Sequence, residues 1–227
     1  MKLSESNYKD FAGQTLRWLA SDSEELWNSN NMDVNNRKRL QQFGWTENSI
    51  TYKFNEHGFR ADEFDGGDGV VFLGCSFTIG IGMDLERTWA NKVAKSLNLR
   101  NWNLGIGGGS LDTAFRFAWQ WVPTLKPKYV SLLRPNDARR EIMIDGEFSN
   151  QLPRMLVKSE CYNQWVSQPS NFILNAQKNI LAIEHICAIN DIPLIVKQND
   201  YGYYLNKTNY ARDLVHLGPE WNEKIAN

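Results

Sequence analysis

Between residues 61 and 227 the chain alternates short apolar runs with longer stretches of helical spacing. Val70-Val71-Phe72-Leu73-Gly74, Lys128-Tyr129-Val130-Ser131-Leu132-Leu133 and Ile192-Pro193-Leu194-Ile195-Val196 are short, largely apolar and rich in β-branched residues, the pattern of strands buried on both faces. Arg100 to Leu104 reads as a further short strand. Helices are expected over 85–97, over 111–122 with Pro123 closing it, over 171–190, and over 219–226 with proline in the first turn. Residues 141–170, holding Pro153 and Pro169, keep no period and read as an irregular insertion. Strands alternating with helices imply a parallel sheet covered on both sides, a three-layer α/β/α sandwich.

Residues 1–60 differ: they are polar and Asn-rich, with Phe11, Leu16, Leu19, Leu26 and Trp27 at roughly helical intervals. Ser49 to Phe54 alternates with period two, predicting a strand that ends at Asn55-Glu56-His57-Gly58. We read 1–60 as an N-terminal extension packed on a main domain spanning 61–227.

A chain of 227 residues, 42 % hydrophobic, can bury one sizeable core and is short for two domains. Its 25 basic and 26 acidic residues leave a formal charge of −1, so no global electrostatic term calls for nucleic acid or an acidic membrane as partner. Cys75, Cys161 and Cys187 are odd in number and show no CxxC spacing, which suggests neither a disulfide framework nor a zinc knuckle and fits a reducing compartment. The N-terminus lacks an apolar signal core and no window of about 18 apolar residues occurs, so the expectation is a soluble protein, cytoplasmic or otherwise outside the Sec route. Among nine tryptophans, Trp102, Trp119, Trp121 and Trp165 are candidate sugar platforms, with core packing as the competing role.

In doubly wound sheets ligands bind beyond the carboxyl ends of the strands, and the informative residues here follow predicted strands. Gly74-Cys75-Ser76-Phe77-Thr78 follows the first core strand, where a helix N-terminus can aim N–H groups at a developing oxyanion. A serine hydroxyl needs a base within reach and a third group to orient that base. His57 lies in the extension and His185 within an amphipathic helix, where packing or surface roles are ordinary. His216 follows Asp213 in Asp-Leu-Val-His; on a turn this spacing brings the carboxylate to Nδ1 and leaves Nε2 facing a hydroxyl. In isolation the same spacing reads better as an aspartate capping a turn near a surface histidine, since the tetrapeptide is common. Gly107-Gly108-Gly109 permits close backbone approach to an oxyanion, and the lack of a following lysine argues against a phosphate loop. Asn136 can donate an amide N–H without a charge, or serve as a turn asparagine after proline.

Four blocks, in this order, resemble the SGNH (GDSL-like) hydrolases. Val71 to Gly80 resembles the first, whose serine is the nucleophile and lends its N–H to the oxyanion hole. Asn103 to Ser110 is similar to the second; its oxyanion glycine aligns with Gly108, with Gly107 a close rival. Arg134-Pro135-Asn136-Asp137 resembles the third and maps the oxyanion amide onto Asn136, while Asp213 to His216 resembles the last, with its catalytic Asp and His. Asn55 to Arg60 resembles a lead-in found before the nucleophile in some members, so the likeness covers about residues 50–227.

The resemblance implies a flavodoxin-like topology and a serine esterase acting on short-chain acyl esters, acetyl above all, some on carbohydrate, with no metal or cofactor. The triad would be Ser76, Asp213 and His216, the oxyanion hole Ser76, Gly108 and Asn136, and further substrate contacts Arg134 and Thr78. Cys75 replaces the usual aspartate without touching the triad, and alternation with Ser76 makes it a packed thiol. Arg134 replaces a glycine, to bind an anionic or polyhydroxyl substrate or to narrow the site. Partners are thus a small-molecule or carbohydrate ester, with neither nucleic acid nor membrane. An acyltransferase on the same triad and a non-catalytic module of a larger assembly, a viral particle included, stay open as alternatives, and the oligomeric state is not legible.

Overall fold

The computed structural model describes residues 5–152, 160–199 and 209–227. Strand β1 (Thr15–Leu16) is followed by helices α1 (Glu24–Met32) and α2 (Val34–Gln42), then β2 (Tyr52–Lys53), which pairs antiparallel with β1. Ser23 caps α1 by accepting from the Leu26 N–H, and extended Asp33 both ends that helix and caps the next through the Asn35 and Asn36 N–H groups. The strand expected over 49–54 shrinks to Tyr52–Lys53, because its partner offers two residues only.

The main elements follow in the order β3 (Gly69–Leu73), α3 (Ser76–Ile79), α4 (Trp89–Ser96), β4 (Arg100–Asn103), α5 (Leu111–Leu125), β5 (Tyr129–Leu133), β6 (Arg140–Ile144), β7 (Glu147–Gln151), α6 (Glu160–Ser167), α7 (Pro169–Ile189), β8 (Leu194–Lys197) and α8 (Pro219–Ala226). The central sheet runs β4-β3-β5-β8 with every pairing parallel. Period-two alternation divides its side chains between two layers. Val71, Leu73, Val130 and Leu132 meet Phe117, Ala118 and Val122 of α5 and Ala176, Ile183 and Cys187 of α7. Val70, Phe72 and Leu133 meet Trp89, Ala90 and Ala94 of α4 and Trp221 and Ile225 of α8 on the other face. The fold is therefore the expected three-layer α/β/α sandwich.

Four local expectations are corrected. The helix read over 85–97 is a 3-10 turn at Leu85–Arg87 and a separate α4, since extended Thr88 accepts from the Asn91 N–H and starts a new helix. Helix α5 runs past Pro123 to Leu125, the proline removing one N–H donor with two further residues still helical; left-handed Lys126 stops it. Part of the "irregular" 141–170 is a β6–β7 hairpin whose Asp145-Gly146 turn has φ of 51° and 84°, the mirror-image turn that Asp-Gly favours. Another part is α6, while Pro153 lies outside the described residues. Finally, β8 is an edge strand among the described residues, and its Ile195 and Val196 stay exposed instead of being buried on both faces.

Residues of the N-terminal segment form their own apolar cluster, in which Leu19, Leu40, Trp45, Ile50, Tyr52 and Phe54 pack with Ile79, Ile81, Met83 and Ala211. The segment thus sits on loops beyond the carboxyl end of β3. Among the described residues no helix is long and apolar enough to cross a membrane.

Candidate active site

After β3 the chain turns sharply at Gly74, whose φ is +153°. A Cβ there would lie 2.2 Å from Thr78 Oγ1 and 2.9 Å from the Leu133 carbonyl oxygen, so glycine alone lets the next residues curl back into α3. Ser76 is the first residue of that helix, and the Thr78 and Ile79 N–H groups bind the Cys75 carbonyl at 2.8 and 3.1 Å. The Ser76 N–H has no partner among the described residues, as the first turn of a helix dictates. Buried Arg60 holds the far end of α3, donating from Nη1 to the carbonyls of Ile79 (3.1 Å) and Gly80 (2.8 Å).

Asp213 and His216 occupy one tight loop closed by the Tyr210–Leu217 bridge and turned by Leu214 at φ +54°. His216 Nδ1 lies 2.6 Å from Asp213 Oδ2, while Oδ1 accepts from the N–H groups of Val215 and His216 at 3.0 Å each. Burial alone would raise the Asp213 carboxyl, but the hydrogen bond and charge of His216 and the two backbone donors outweigh it and hold the group below its ordinary value. An ionised carboxylate accepts only, so the bond to Asp213 is donated by an Nδ1 proton and Nε2 is directed away from the carboxylate. The Phe77 ring meets the imidazole edge-on at 5.2 Å between centroids and limits its swing.

Ser76 and His216 line the same cavity of about 620 Å³, together with Arg134, Asn136, Arg139 and Gln198. The Ser76 hydroxyl makes no hydrogen bond among the described residues, His216 included.

The glycine loop is stitched to the end of β3 by the Ile106 N–H on the Gly74 carbonyl at 3.3 Å. Of the two candidate glycines, Gly107 is engaged by Tyr8, whose hydroxyl accepts its N–H at 3.1 Å. The Gly108 N–H has no partner among the described residues, and its φ of +71° suits glycine. Gly108 nonetheless stands outside the cavity lining, beside Asn150 and Leu152. Asn136 lines the cavity; its Oδ1 accepts from the Ala138 N–H at 2.9 Å, which leaves the Nδ2 group to donate.

Arg134 lines the wall but is clamped to Asp137, Nε to Oδ1 at 2.9 Å and Nη2 to Oδ2 at 2.6 Å. Arg139 has no carboxylate partner among the described residues, and the one hydrogen bond of its side chain among them reaches the Gly109 carbonyl at 3.4 Å. Thr78 is fully buried beneath the Gly74 turn and does not line the cavity, contrary to a substrate-contact role. Cys75 touches the cavity wall but is 1 % exposed, a packed thiol as expected. None of the four candidate tryptophans lines this cavity: Trp102 and Trp121 are core, Trp119 faces an apolar groove between α5 and α7, and Trp165 lies beside Arg140. His57 packs between Phe64 and Trp121, and exposed His185 borders that apolar groove.

Sequence reasoning missed Arg139, and it missed Ser21, Asp22 and Arg212. Ser21 Oγ donates to Asp213 Oδ2 at 2.8 Å, and Arg212 grips Asp22. No local pattern signals partners so far apart in the chain. Among the described residues no group of three or more His, Cys, Asp or Glu side chains is placed to hold a metal ion. No known family model matches this chain, and no curated protein matches it either.

Proposed function

We propose that the protein is a serine esterase of SGNH type, in which Ser76 is the nucleophile, His216 the general base and Asp213 its orienting carboxylate. The observation that carries this reading is the 2.6 Å Asp213–His216 contact, on a loop whose imidazole shares one cavity with Ser76. With Nδ1 bonded to Asp213, Nε2 accepts the Ser76 proton as Oγ attacks the ester carbonyl. The resulting oxyanion is stabilised by unspent N–H donors at the cavity wall, those of Ser76 and the Asn136 side chain. His216 then returns the proton to the leaving alcohol, and water resolves the acyl-enzyme by the same route in reverse.

The wall chemistry favours a small acyl group on a polar alcohol. Arg134, Asn136, Asp137, Arg139, Gln198 and Asn199 surround the serine with donors and acceptors suited to hydroxyls, a carbohydrate being the natural case. Arg139 adds a preference for an acidic group on that alcohol, because no carboxylate among the described residues neutralises it. Three free cysteines, two of them buried, fit a reducing compartment.

The test is hydrolysis of a short-chain chromogenic ester by the wild type and by Ser76→Ala, both verified as folded. Activity confined to the wild type supports the reading. Hydrolysis that persists in Ser76→Ala removes Ser76 as nucleophile, and no turnover of any ester, acetylated sugars included, returns the site to a binding role.

A further inference from the structure

The Asp213 carboxylate is a four-acceptor group with four donors around it, and three of them belong to its own loop: the Val215 and His216 N–H groups and His216 Nδ1. The fourth, the Ser21 hydroxyl at 2.8 Å from Oδ2, is the one hydrogen bond among the described residues that ties the carboxylate to the rest of the protein. A loop of four residues cannot define its own direction relative to a nucleophile on a separate strand end. Something outside it must.

We infer that the N-terminal segment completes the catalytic apparatus, with Ser21 a positioning residue that acts through Asp213 on His216. This rests on the esterase reading of the same site. The geometry around Ser21 is itself held tightly. Leu19 and Asp22 exchange backbone hydrogen bonds at 2.9 and 3.0 Å across a turn in which Ala20 has a φ of +53°, a conformation an alanine adopts only under constraint. That turn presents Ser21 and Asp22 as neighbours to the neighbouring pair Asp213 and Arg212. Arg212 donates to Asp22 from Nε at 2.9 Å and from Nη2 at 2.6 Å, and also to the carbonyls of Glu47 (2.6 Å) and Arg17 (2.8 Å). Tyr52 closes the cluster, donating to Asp22 Oδ2 at 2.5 Å while accepting the Gly82 N–H at 2.8 Å. Asn30 of α1 adds a 3.4 Å bond to the Asp213 carbonyl. One side-chain contact thereby acts on the reacting group, and its neighbour fixes the register.

The sign of the electronic effect follows from the shared oxygen. Ser21 and His216 both donate to Oδ2, so the hydroxyl draws charge from the oxygen that stabilises the imidazolium. The other charged or titratable groups around the pair are Asp22, Arg212 and Tyr52 on the segment side, and Arg134, Asp137 and Arg139 across the cavity. None of these changes in a Ser21 variant.

The experiment compares the wild type, Ser21→Ala and Ser21→Thr, with folding verified by circular dichroism. It reads ester turnover across pH and, independently of turnover, the titration of the His216 ring by NMR. In Ser21→Ala we expect kcat to fall roughly ten- to a hundredfold with KM little changed, and the acid limb and ring titration to move up. Ser21→Thr, which keeps the hydroxyl, restores both. Wild-type kcat and titration in Ser21→Ala overturn the inference, as does a loss of kcat with an unmoved titration, which would mean a merely structural role. Should the wild type hydrolyse no ester, a shifted ring titration in Ser21→Ala still establishes the coupling, and the esterase reading alone fails.

Discussion

Arg212 and Asp22, from opposite ends of the chain, form a two-pronged ion pair with Nε–Oδ1 at 2.9 Å and Nη2–Oδ2 at 2.6 Å, fully withdrawn from water. It anchors the residue next to Asp213 to the residue next to Ser21.

Breaking this pair leaves an uncompensated buried charge. We expect Asp22→Ala to lower the unfolding free energy by about 3–5 kcal/mol, more than any exposed ion pair such as Arg17–Glu47 would. Urea unfolding of both variants checks it; an Asp22→Ala midpoint equal to that of Glu47→Ala would refute the anchoring role.

Asp213 has a lowered carboxyl in the folded protein. The unfolded chain titrates near the free value of ~3.9, so the stability this group contributes is complete above that pH and is lost as pH falls through the lower folded value. Asp213→Asn should therefore show a shallower acid-side loss of thermal stability than the wild type, while its kcat drops by about 10³–10⁴-fold through loss of the imidazole's orienting carboxylate. Thermal unfolding against pH reads the first and steady-state kinetics the second. A parallel acid limb in the two proteins would mean that the carboxylate is not held as described.

Arg139, at the cavity wall, has no carboxylate partner among the described residues. A charge-assisted hydrogen bond to an acidic alcohol contributes about 1.5–3 kcal/mol, so Arg139→Gln should reduce the kcat/KM ratio of an acetylated uronic acid over its neutral sugar counterpart by about tenfold or more. An unchanged ratio would assign Arg139 to solvent.

The three cysteines should separate by reactivity. Cys161 is exposed on α6, Cys75 is buried beside Ser76, and burial pushes the Cys187 thiol up to about 11. Brief alkylation of the folded protein near pH 8 is expected to modify Cys161 alone, since the thiolate is the reactive form. Peptide mapping by mass spectrometry checks this, and early labelling of Cys187 would contradict its packing against the sheet.

The layers of the fold were legible because they rest on local periodicity. Val70 to Leu73 and the helical spacing of Ile173 to Ile189 announce buried strand and amphipathic helix through neighbours a few positions away. Where the reading failed, a local signal was outweighed or passed over. Thr88 splits a helix by capping, Pro123 sits late enough in α5 to be tolerated, and Asp145-Gly146 marks a hairpin that two prolines had masked.

Within the site, the same division holds. Ser76 after a strand, the Asp213–His216 spacing and the glycine run were readable, because each depends on residues close in sequence. Only the tertiary structure decided that Gly107 is occupied by Tyr8, that Arg134 is spent on Asp137 while Arg139 is not, and that Thr78 faces inward. It alone joined Ser21 to Asp213 and Asp22 to Arg212, pairs separated by 192 and 190 positions. Hydrophobic periodicity reports which face of an element is buried, and a short motif reports its own turn. The pairing of polar groups across the fold depends on which loops the packed layers bring together, and no single stretch of chain encodes that.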